Sequence, residues 1–125
     1  MKSGELGKTY SNGEIIIKQG EPGDCMYVIQ SGEVEIIKNK DGREIQIAIR
    51  RTGDFFGEMA LFSREVRSAT VKAFGEVRVL TVDKKNLLKS IQKDPSLAFR
   101  IIETLSKRIR DLSEEITPLK LNKLE

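Results

Sequence analysis

The sequence has 125 residues, a length typical of a single domain that can bury one hydrophobic core. Its net charge is +3, it contains no histidine, and its one cysteine, Cys25, cannot form an internal disulfide. This composition argues against histidine-dependent catalysis, the usual zinc sites, iron–sulfur clusters and histidine-ligated haem, so we expect neither an enzyme nor a metalloprotein. The single cysteine fits a reducing, cytoplasmic location, and no apolar run reaches the length of a membrane span.

The first part of the chain has a residue pattern typical of β structure. Residues 1–12 are polar and contain glycine, and we predict a loose lead-in there. Residues 13–83 contain short segments rich in isoleucine and valine, separated by turn residues, which indicates a sandwich or a barrel-like roll. The predicted strands are 14–18, 25–30, 33–39, 44–50, 68–74 and 76–83.

Turn chemistry and alternation refine this prediction. Strict alternation of polar and apolar residues in 44–50 predicts a strand with one buried face and one wet face. Three glycine-containing dipeptides are predicted to form turns, the first of type II and the others in hairpins that need positive φ: Pro22-Gly23, Ser31-Gly32 and Asp41-Gly42. The sulfur-containing side chains in this part are interpreted as core filling: Cys25, Met26 and Met59.

From residue 83 the apolar spacing changes to that of helices. We predict two C-terminal helices within residues 84–117. Asp83 is expected to cap the first helix, and Asp94, which a proline follows, is expected to cap the second. A tail at 118–125 should follow, because Pro118 disfavours helical geometry in the residue before it.

The second predicted helix carries an apolar stripe at intervals of three and four residues: Ile102, Leu105, Ile109, Leu112 and Ile116. Isoleucine at every heptad position a and leucine at every d favours a parallel homodimer. A helix lying on its own sheet would show similar spacing, so the pattern alone leaves both arrangements open. The basic residues of the last third are interleaved with acidic ones, which indicates a solvated face rather than a nucleic-acid surface.

Residues 57–69 have the residue types that a small ligand with hydroxyls and one phosphate requires: Gly-Glu-Met-Ala-Leu-Phe-Ser-Arg-Glu-Val-Arg-Ser-Ala. Glu58 can accept a bond from a hydroxyl, and the four residues after it suggest one turn of helix whose N–H groups face an anion. Arg67 can make a planar, two-pronged bond to phosphate oxygens, which lysine cannot imitate. Taken alone, either residue is more often a plain surface charge, so the argument depends on the ordered set.

This ordered set resembles the phosphate-binding cassette of cyclic-nucleotide-binding domains, the family of the catabolite activator protein and the kinase A regulatory subunits. The resemblance covers about residues 13–117, with further matches at 20–24, 27–29, 31–34 and 53–57. It implies a double-stranded β-helix, a jelly-roll-like β-roll, followed by a short helix and a long dimerisation helix. It also implies a non-catalytic sensor whose ligand is cyclic AMP or cyclic GMP, with no cofactor.

The resemblance assigns roles within the cassette. Glu58 matches the glutamate that accepts a bond from the ribose 2′-hydroxyl, and Gly57 beside it gives the sugar room. Ala60 matches the residue whose backbone N–H faces the cyclic phosphate. Arg67 matches the arginine that pairs with the exocyclic phosphate oxygens, to which Ser68 can add a hydroxyl or an N–H. The candidate ligand-binding residues are Phe56, Gly57, Glu58, Met59, Ala60, Arg67 and Ser68.

The base pocket and the base preference rest on weaker signals. Ile36 and Ile47 lie on strands that line the pocket in relatives, although they could equally be core. Leu112 and Ser113 are candidates for covering the base from the C-terminal helix. Relatives selective for cyclic GMP often carry threonine after the arginine, where this chain has Ser68, so we favour cyclic AMP over cyclic GMP.

The expected function is a sensor that relays ligand occupancy through its C-terminal helix to an effector that the sequence does not identify. The alternative is a dimerisation or docking module of the same fold whose pocket is empty or holds another anion. Two features depart from the family pattern. Residues 1–12 are too short and glycine-rich to replace the usual helical lead-in. The helix-turn-helix of the family's transcription factors does not follow the long helix, so we do not expect this chain by itself to bind nucleic acid. We expect no membrane partner either, because no apolar run reaches the length of a span.

Overall fold

A computed structural model describes residues 7–63 and 66–124. By its internal contacts the chain divides into one unit that ends at Leu87 and a second that begins at Leu88. The described strands are β1 (Gly7–Tyr10), β2 (Ile15–Ile17), β3 (Cys25–Lys40), β4 (Arg43–Arg51), β5 (Phe55–Phe56) and β6 (Thr70–Asp83). The described helices are α1 (Met59–Phe62), α2 (Lys84–Lys93) and α3 (Ser96–Leu124).

The strands form one antiparallel sheet built around its two longest members. The strand order is β1-β6-β3-β4, with β2 paired to β6 and β5 paired to β3. β3 has 16 residues and β6 has 14, so each of them can pair with several short partners. The prediction of a mainly β fold with C-terminal helices is confirmed.

Each of these long strands replaces two predicted strands. Gly32 has φ +94 and lies between two register shifts in the β3–β6 pairing, so it marks a β-bulge inside β3 rather than a hairpin turn. Gly75 interrupts β6 in a similar way, with φ +79 and its N–H donated to Asn12 Oδ1 at 2.8 Å. The third predicted dipeptide does form a hairpin, because Asp41 and Gly42 both have positive φ between β3 and β4.

The core is formed by strand residues of this sheet, and most of their side chains are β-branched. Val34, Val77 and Val79 are each 0% exposed. Removing such a side chain from water contributes about 1.5–3 kcal/mol to folding. The cluster comprises Ile17, Ile29, Val34, Phe56, Val71, Ala73, Val77 and Val79, with Tyr10, Ile16, Tyr27 and Ile36 packed against it.

β4 does not bury the face that its alternation predicts. Ile45 is 48% exposed and Ile47 is 54% exposed, although both lie on the predicted apolar side. β4 ends the path of strands and pairs with β3. Its register skips a residue, because Ile36 faces Ala48 while the next residue of β3 faces Gln46. Ile47 is therefore the extra residue of a bulge at the sheet edge.

Part of the predicted lead-in is a strand. Residues 7–10 form β1, which pairs antiparallel with β6 from Leu80 to Val77. Tyr10 packs against the core cluster, and this long-range contact explains why a polar, glycine-containing segment becomes ordered. Residues 1–6 of the predicted lead-in lie outside the described residues.

Both predicted helix starts carry an aspartate. Asp83 Oδ1 accepts the backbone N–H of Asn86 at 2.8 Å, which confirms the predicted cap of α2. α3 begins at Ser96, one residue later than a proline at the first helical position would give. Asp94 Oδ1 accepts the N–H of Ser96 at 3.2 Å, and the bonds from Ser96 hold the pKa of the Asp94 carboxyl below its usual range.

The predicted end of the second helix near Thr117 and the predicted tail at 118–125 are wrong over the described residues. α3 continues through Pro118 to Leu124. Proline removes one helical N–H and costs about 3 kcal/mol in a helix interior, but it disfavours rather than forbids helix in the residue before it. Residues 111–119 are exposed, so water can satisfy the carbonyl that loses its partner.

Candidate functional site

The candidate site begins where β5 turns into α1. The predicted single turn of helix is confirmed at Met59–Phe62. Gly57, between strand and helix, has φ +77, a conformation that residues with a Cβ rarely adopt. A Cβ at this position would also lie 2.8 Å from Arg67 Nη1 and 2.9 Å from Ile17 Cδ1. Glycine is therefore required here both for the turn and for the approach of the arginine.

The guanidinium of Arg67 bridges two separate backbone segments. Its Nη1 donates to the Gly57 carbonyl at 2.9 Å, and its Nη2 donates to the Cys25 carbonyl at 2.9 Å. A longer contact of 3.7 Å joins Nη2 to Cys25 Sγ. Since a guanidinium has five N–H donors, the two carbonyl bonds fix its plane and leave further donors for a ligand. Both acceptors are neutral, so they orient the side chain without cancelling its charge.

The backbone around Arg67 is held against the loop that precedes β3. The Arg67 N–H donates to the Glu21 carbonyl at 2.8 Å, and the Arg67 carbonyl accepts from Gly20 N–H at 2.8 Å. A Cβ on Gly23 would overlap the guanidinium. The predicted type II turn at Pro22-Gly23 is wrong, because positive φ occurs at Gly20 instead, at +88. Gly23 makes room for an arginine that follows it by more than forty residues.

An aromatic pair lies beside the guanidinium. The rings of Tyr27 and Phe56 stack with centroids 5.2 Å apart and an interplanar angle of 17°. Arg67 Cζ lies 6.0 Å from the centroid of the Tyr27 ring, within the range of a cation–π contact. Burial, together with a hydrogen bond to the Cys25 side chain, raises the pKa of Tyr27 well above its usual range, so the phenol stays neutral.

The other cassette residues occupy distinct environments. Glu58 is partly exposed and directly precedes α1, where its carbonyl accepts from Leu61 N–H at 3.0 Å. Ala60 is 7% exposed, and its N–H donates to the Gly57 carbonyl at the long distance of 3.4 Å. Met59 is 59% exposed, so it is not the core-filling side chain that was predicted.

Two further residues complete the predicted cassette. Phe56 is 2% exposed, so its side chain supports the site from the core. Ser68 is exposed and follows Arg67 directly. The structure thus brings Gly57 and Arg67 into direct contact, with Glu58 and Ala60 on the same turn.

The candidate base-pocket residues are less closely grouped. Ile36 is partly buried and packs against the core cluster, whereas Ile47 lies exposed at the edge bulge. Leu112 and Ser113 are exposed residues of α3, within the second unit. Ile47 is therefore not part of the packed core, and its contact with a base stays a prediction.

Sequence reasoning missed the supporting residues of the site. It assigned Gly23 only to a turn, gave Tyr27 no role, and interpreted Cys25 only as core filling. Their signal was nevertheless in the upstream matches, because Gly23 lies in segment 20–24 and Tyr27 begins segment 27–29. The carbonyl of Cys25 gives no such signal, because every residue has one.

Over residues 7–63 and 66–124, no group of three or more cysteine, aspartate or glutamate side chains is placed to hold a metal ion. Among the helices of these same residues, none is long and apolar enough to span a membrane. What the site offers is a charged, oriented guanidinium on a tight glycine turn, with Glu58 as the next residue of that turn. Such an arrangement suits the binding of a small anion that also carries hydroxyls.

Comparison with known proteins gives consistent matches. The family model of the cyclic nucleotide-binding domain matches residues 7–94. A candidate potassium channel protein of Rhodopseudomonas palustris is 41% identical over 110 residues, which cover 86% of this chain and 26% of that protein. The CRP-like cAMP-activated global transcriptional regulator of Mycobacterium tuberculosis is 31% identical over 111 residues, covering 88% of this chain and 50% of the regulator.

Solved structures agree with these matches. The crystal structure of the Thermus thermophilus catabolite activator protein has a TM-score of 0.81 at 29% identity, over 91% of this chain and 54% of that one. This likeness confirms the predicted jelly-roll-like fold with C-terminal helices. The chain spans half or less of the two curated relatives described above.

Proposed function

Because the chain belongs to the cyclic nucleotide-binding domain family, we propose that it is a non-catalytic sensor domain for a cyclic purine mononucleotide. The observation that carries this proposal is the placement of Arg67, whose guanidinium is held by the Gly57 and Cys25 carbonyls beside the turn that begins α1. The geometry of Gly57 and Arg67 therefore supports a phosphate site in addition to the sequence pattern.

In this proposal Arg67 binds the phosphate. Its two carbonyl partners orient the guanidinium without neutralising it, and a cyclic phosphate supplies the missing negative charge. Charge-assisted hydrogen bonds of this kind contribute about 1.5–3 kcal/mol each. Ser68, which is exposed and adjacent, adds a hydroxyl or a backbone N–H to the same oxygens.

The sugar is bound by the turn before α1. Glu58 accepts a hydrogen bond from the ribose 2′-hydroxyl, and Gly57 leaves space for the ring because it has no side chain. Ala60 directs its N–H toward the phosphate, which is consistent with the weakness of its 3.4 Å bond within the turn. Phe56 and Met59 flank these groups, the first from the core and the second from the exposed side.

We favour cyclic AMP over cyclic GMP as the ligand. The position after Arg67 is Ser68, which lacks the methyl group that fixes the rotamer of threonine. A serine hydroxyl is therefore less well positioned to bond the guanine amino group. The name of the Mycobacterium tuberculosis relative describes that protein as activated by cyclic AMP, which supports the same preference.

We further propose that occupancy is relayed through α3. Ile102, Ile109 and Leu112 are 61%, 66% and 56% exposed, as expected of a stripe that pairs with a second copy. In the proposed homodimer the seam consists of Ile102, Leu105, Ile109, Leu112 and Ile116. A nucleotide that also contacts Leu112 and Ser113 would favour one arrangement of the helix and so shift its population.

Isothermal titration with cyclic AMP, cyclic GMP and 5′-AMP tests this function. We expect saturable binding of one nucleotide per chain, with cyclic AMP bound more tightly than cyclic GMP and 5′-AMP bound weakly. Tighter binding of cyclic GMP would reverse the base preference and leave the family function intact. If no cyclic nucleotide binds, the domain is instead a dimerisation or docking module of the same fold.

A further inference from the structure

The two carbonyls that hold Arg67 lie at the ends of two different strands. Cys25 is the first residue of β3, and Gly57 directly follows β5. β5 has only two residues, and it pairs with β3 through Tyr27 opposite Phe56 and through the next pair along. This very short pairing sets the distance between the two carbonyls, and therefore the position of the guanidinium that they bind.

The stacked rings of Tyr27 and Phe56 reinforce the β3–β5 pairing close to the carbonyls that bind Arg67. Tyr27 and Phe56 face each other across the strands, and their rings stack at 5.2 Å. Phe56 is 2% exposed, so its position is fixed by the core. The Tyr27 ring contacts both this fixed ring and the guanidinium, whose Cζ is 6.0 Å from its centroid. Two successive contacts therefore connect the core to Arg67: Phe56 with Tyr27, and Tyr27 with the guanidinium.

From this geometry we propose that Tyr27 is a positioning residue for the anion-binding arginine. Its ring supports the guanidinium and, by stacking on Phe56, fixes the separation of the Cys25 and Gly57 carbonyls. The ring, rather than the hydroxyl, is the active part of this arrangement, because it makes both contacts. The inference rests on the proposed function, since it concerns the arginine that would bind the cyclic phosphate.

Nucleotide affinity separates the ring from the hydroxyl. Tyr27→Phe keeps the stack and should bind cyclic AMP within about twofold of the wild type. Tyr27→Leu removes the ring and should weaken binding by about 3- to 30-fold, the range of a cation–π contact from exposed to desolvated. Phe55→Leu is the matched control, because Phe55 is also a buried β5 ring (7% exposed) whose side chain points to the opposite face. It should lose stability and keep its affinity.

A double-mutant cycle distinguishes positioning from general loosening of the fold. In an Arg67→Lys background, Tyr27→Leu should cause little further loss of affinity, because the planar group that the ring positions is already gone. Equal losses in both backgrounds would overturn the inference, and so would wild-type affinity in Tyr27→Leu.

A second measurement needs no ligand and therefore keeps the inference separate from the proposed function. In proton–nitrogen NMR spectra, the Nε–H of Arg67 should give a distinct, slowly exchanging signal in the wild type, Tyr27→Phe and Phe55→Leu. In Tyr27→Leu this signal should move toward that of a solvent-exposed arginine. An unchanged Arg67 signal in Tyr27→Leu would refute the positioning role, whereas failure of the wild type to bind cyclic AMP would refute only the proposed function.

Discussion

Replacing Arg67 with alanine removes two kinds of interaction, and the structure allows each to be sized. The first kind is internal, because the guanidinium donates one bond to the Gly57 carbonyl and one to the Cys25 carbonyl. Each such bond contributes about 0.5–1.5 kcal/mol net, so the free energy of unfolding should fall by about 1–3 kcal/mol. A fall of several degrees in Tm is expected for a domain of this size.

The second kind is made with the ligand. Two charge-assisted bonds to phosphate oxygens, at about 1.5–3 kcal/mol each, set the gross interaction that Arg67→Ala removes. Water can solvate part of the exposed phosphate in the variant, so we expect a loss of at least about tenfold, equivalent to 1.4 kcal/mol. If no water compensates, the loss should exceed about a hundredfold. Arg67→Lys keeps the charge but lacks the rigid planar fork that bonds two carbonyls and still presents donors to a phosphate, so its affinity should be intermediate.

Titration calorimetry, read together with thermal unfolding, measures both effects. Arg51→Ala is the matched control, because its side chain is 72% exposed and its Nε pairs with Glu33 Oε2 at 2.8 Å at the sheet edge. Removing this surface pair should change stability by less than about 1 kcal/mol and leave nucleotide affinity unaltered. Wild-type affinity in a folded Arg67→Ala protein would refute the assignment of Arg67 to the phosphate.

Three further predictions concern the sugar, the helix and the relay. Glu58→Gln should weaken cyclic AMP binding less than Arg67→Ala does, because an amide oxygen still accepts the ribose hydroxyl; calorimetry showing the larger loss for Glu58→Gln would contradict this ranking. Ile109→Glu would bury unpaired charges in the apolar stripe, so sedimentation should report a monomer while circular dichroism still shows the β signal. Lys107→Glu, which lies off the stripe, should remain dimeric. A wild type that is monomeric at high micromolar concentration would favour the arrangement in which the helix lies on its own sheet. Cyclic AMP should increase hydrogen-exchange protection across residues 100–117, with a coupling free energy of about 1–3 kcal/mol between ligand binding and the helix arrangement. Increased protection confined to residues 56–69, with constant dimer affinity, would exclude the relay.

Features that depend on neighbouring residues could be predicted from the sequence. The hairpin at Asp41 and Gly42 needs two positive φ angles, and this dipeptide supplies them at low cost. The cap of α2 needs one oxygen three residues before a free N–H, which Asp83 provides. The turn of helix after Glu58 and the phosphate pattern ending at Arg67 are equally local, so their position in the chain was predictable.

Features that depend on distant residues could not be predicted. Arg67 is held by the carbonyl of Cys25, 42 residues away, and a backbone carbonyl has no side-chain signature. Gly32 reads as a turn in the sequence, yet pairing with β6 on both sides of it keeps the strand continuous. The apolar residues of β4 suggested a buried face, but the edge position of the strand leaves Ile47 exposed. α3 continues through Pro118 although proline disfavours helix, and water can satisfy the carbonyl that loses its partner because residues 111–119 are exposed.

The most direct test of the central claim is a proton–nitrogen NMR titration of the wild-type chain with cyclic AMP. The account predicts saturable changes at the backbone N–H groups of Gly57 and Ala60 and at the side-chain Nε–H of Arg67, all fitted by one dissociation constant. In Arg67→Ala, which lacks the Nε–H, it predicts that the Gly57 and Ala60 signals reach half of their shift only at a cyclic AMP concentration at least about tenfold higher. Saturable binding that shifts other residues while the Arg67 Nε–H stays in place would show that the phosphate does not bind at this arginine.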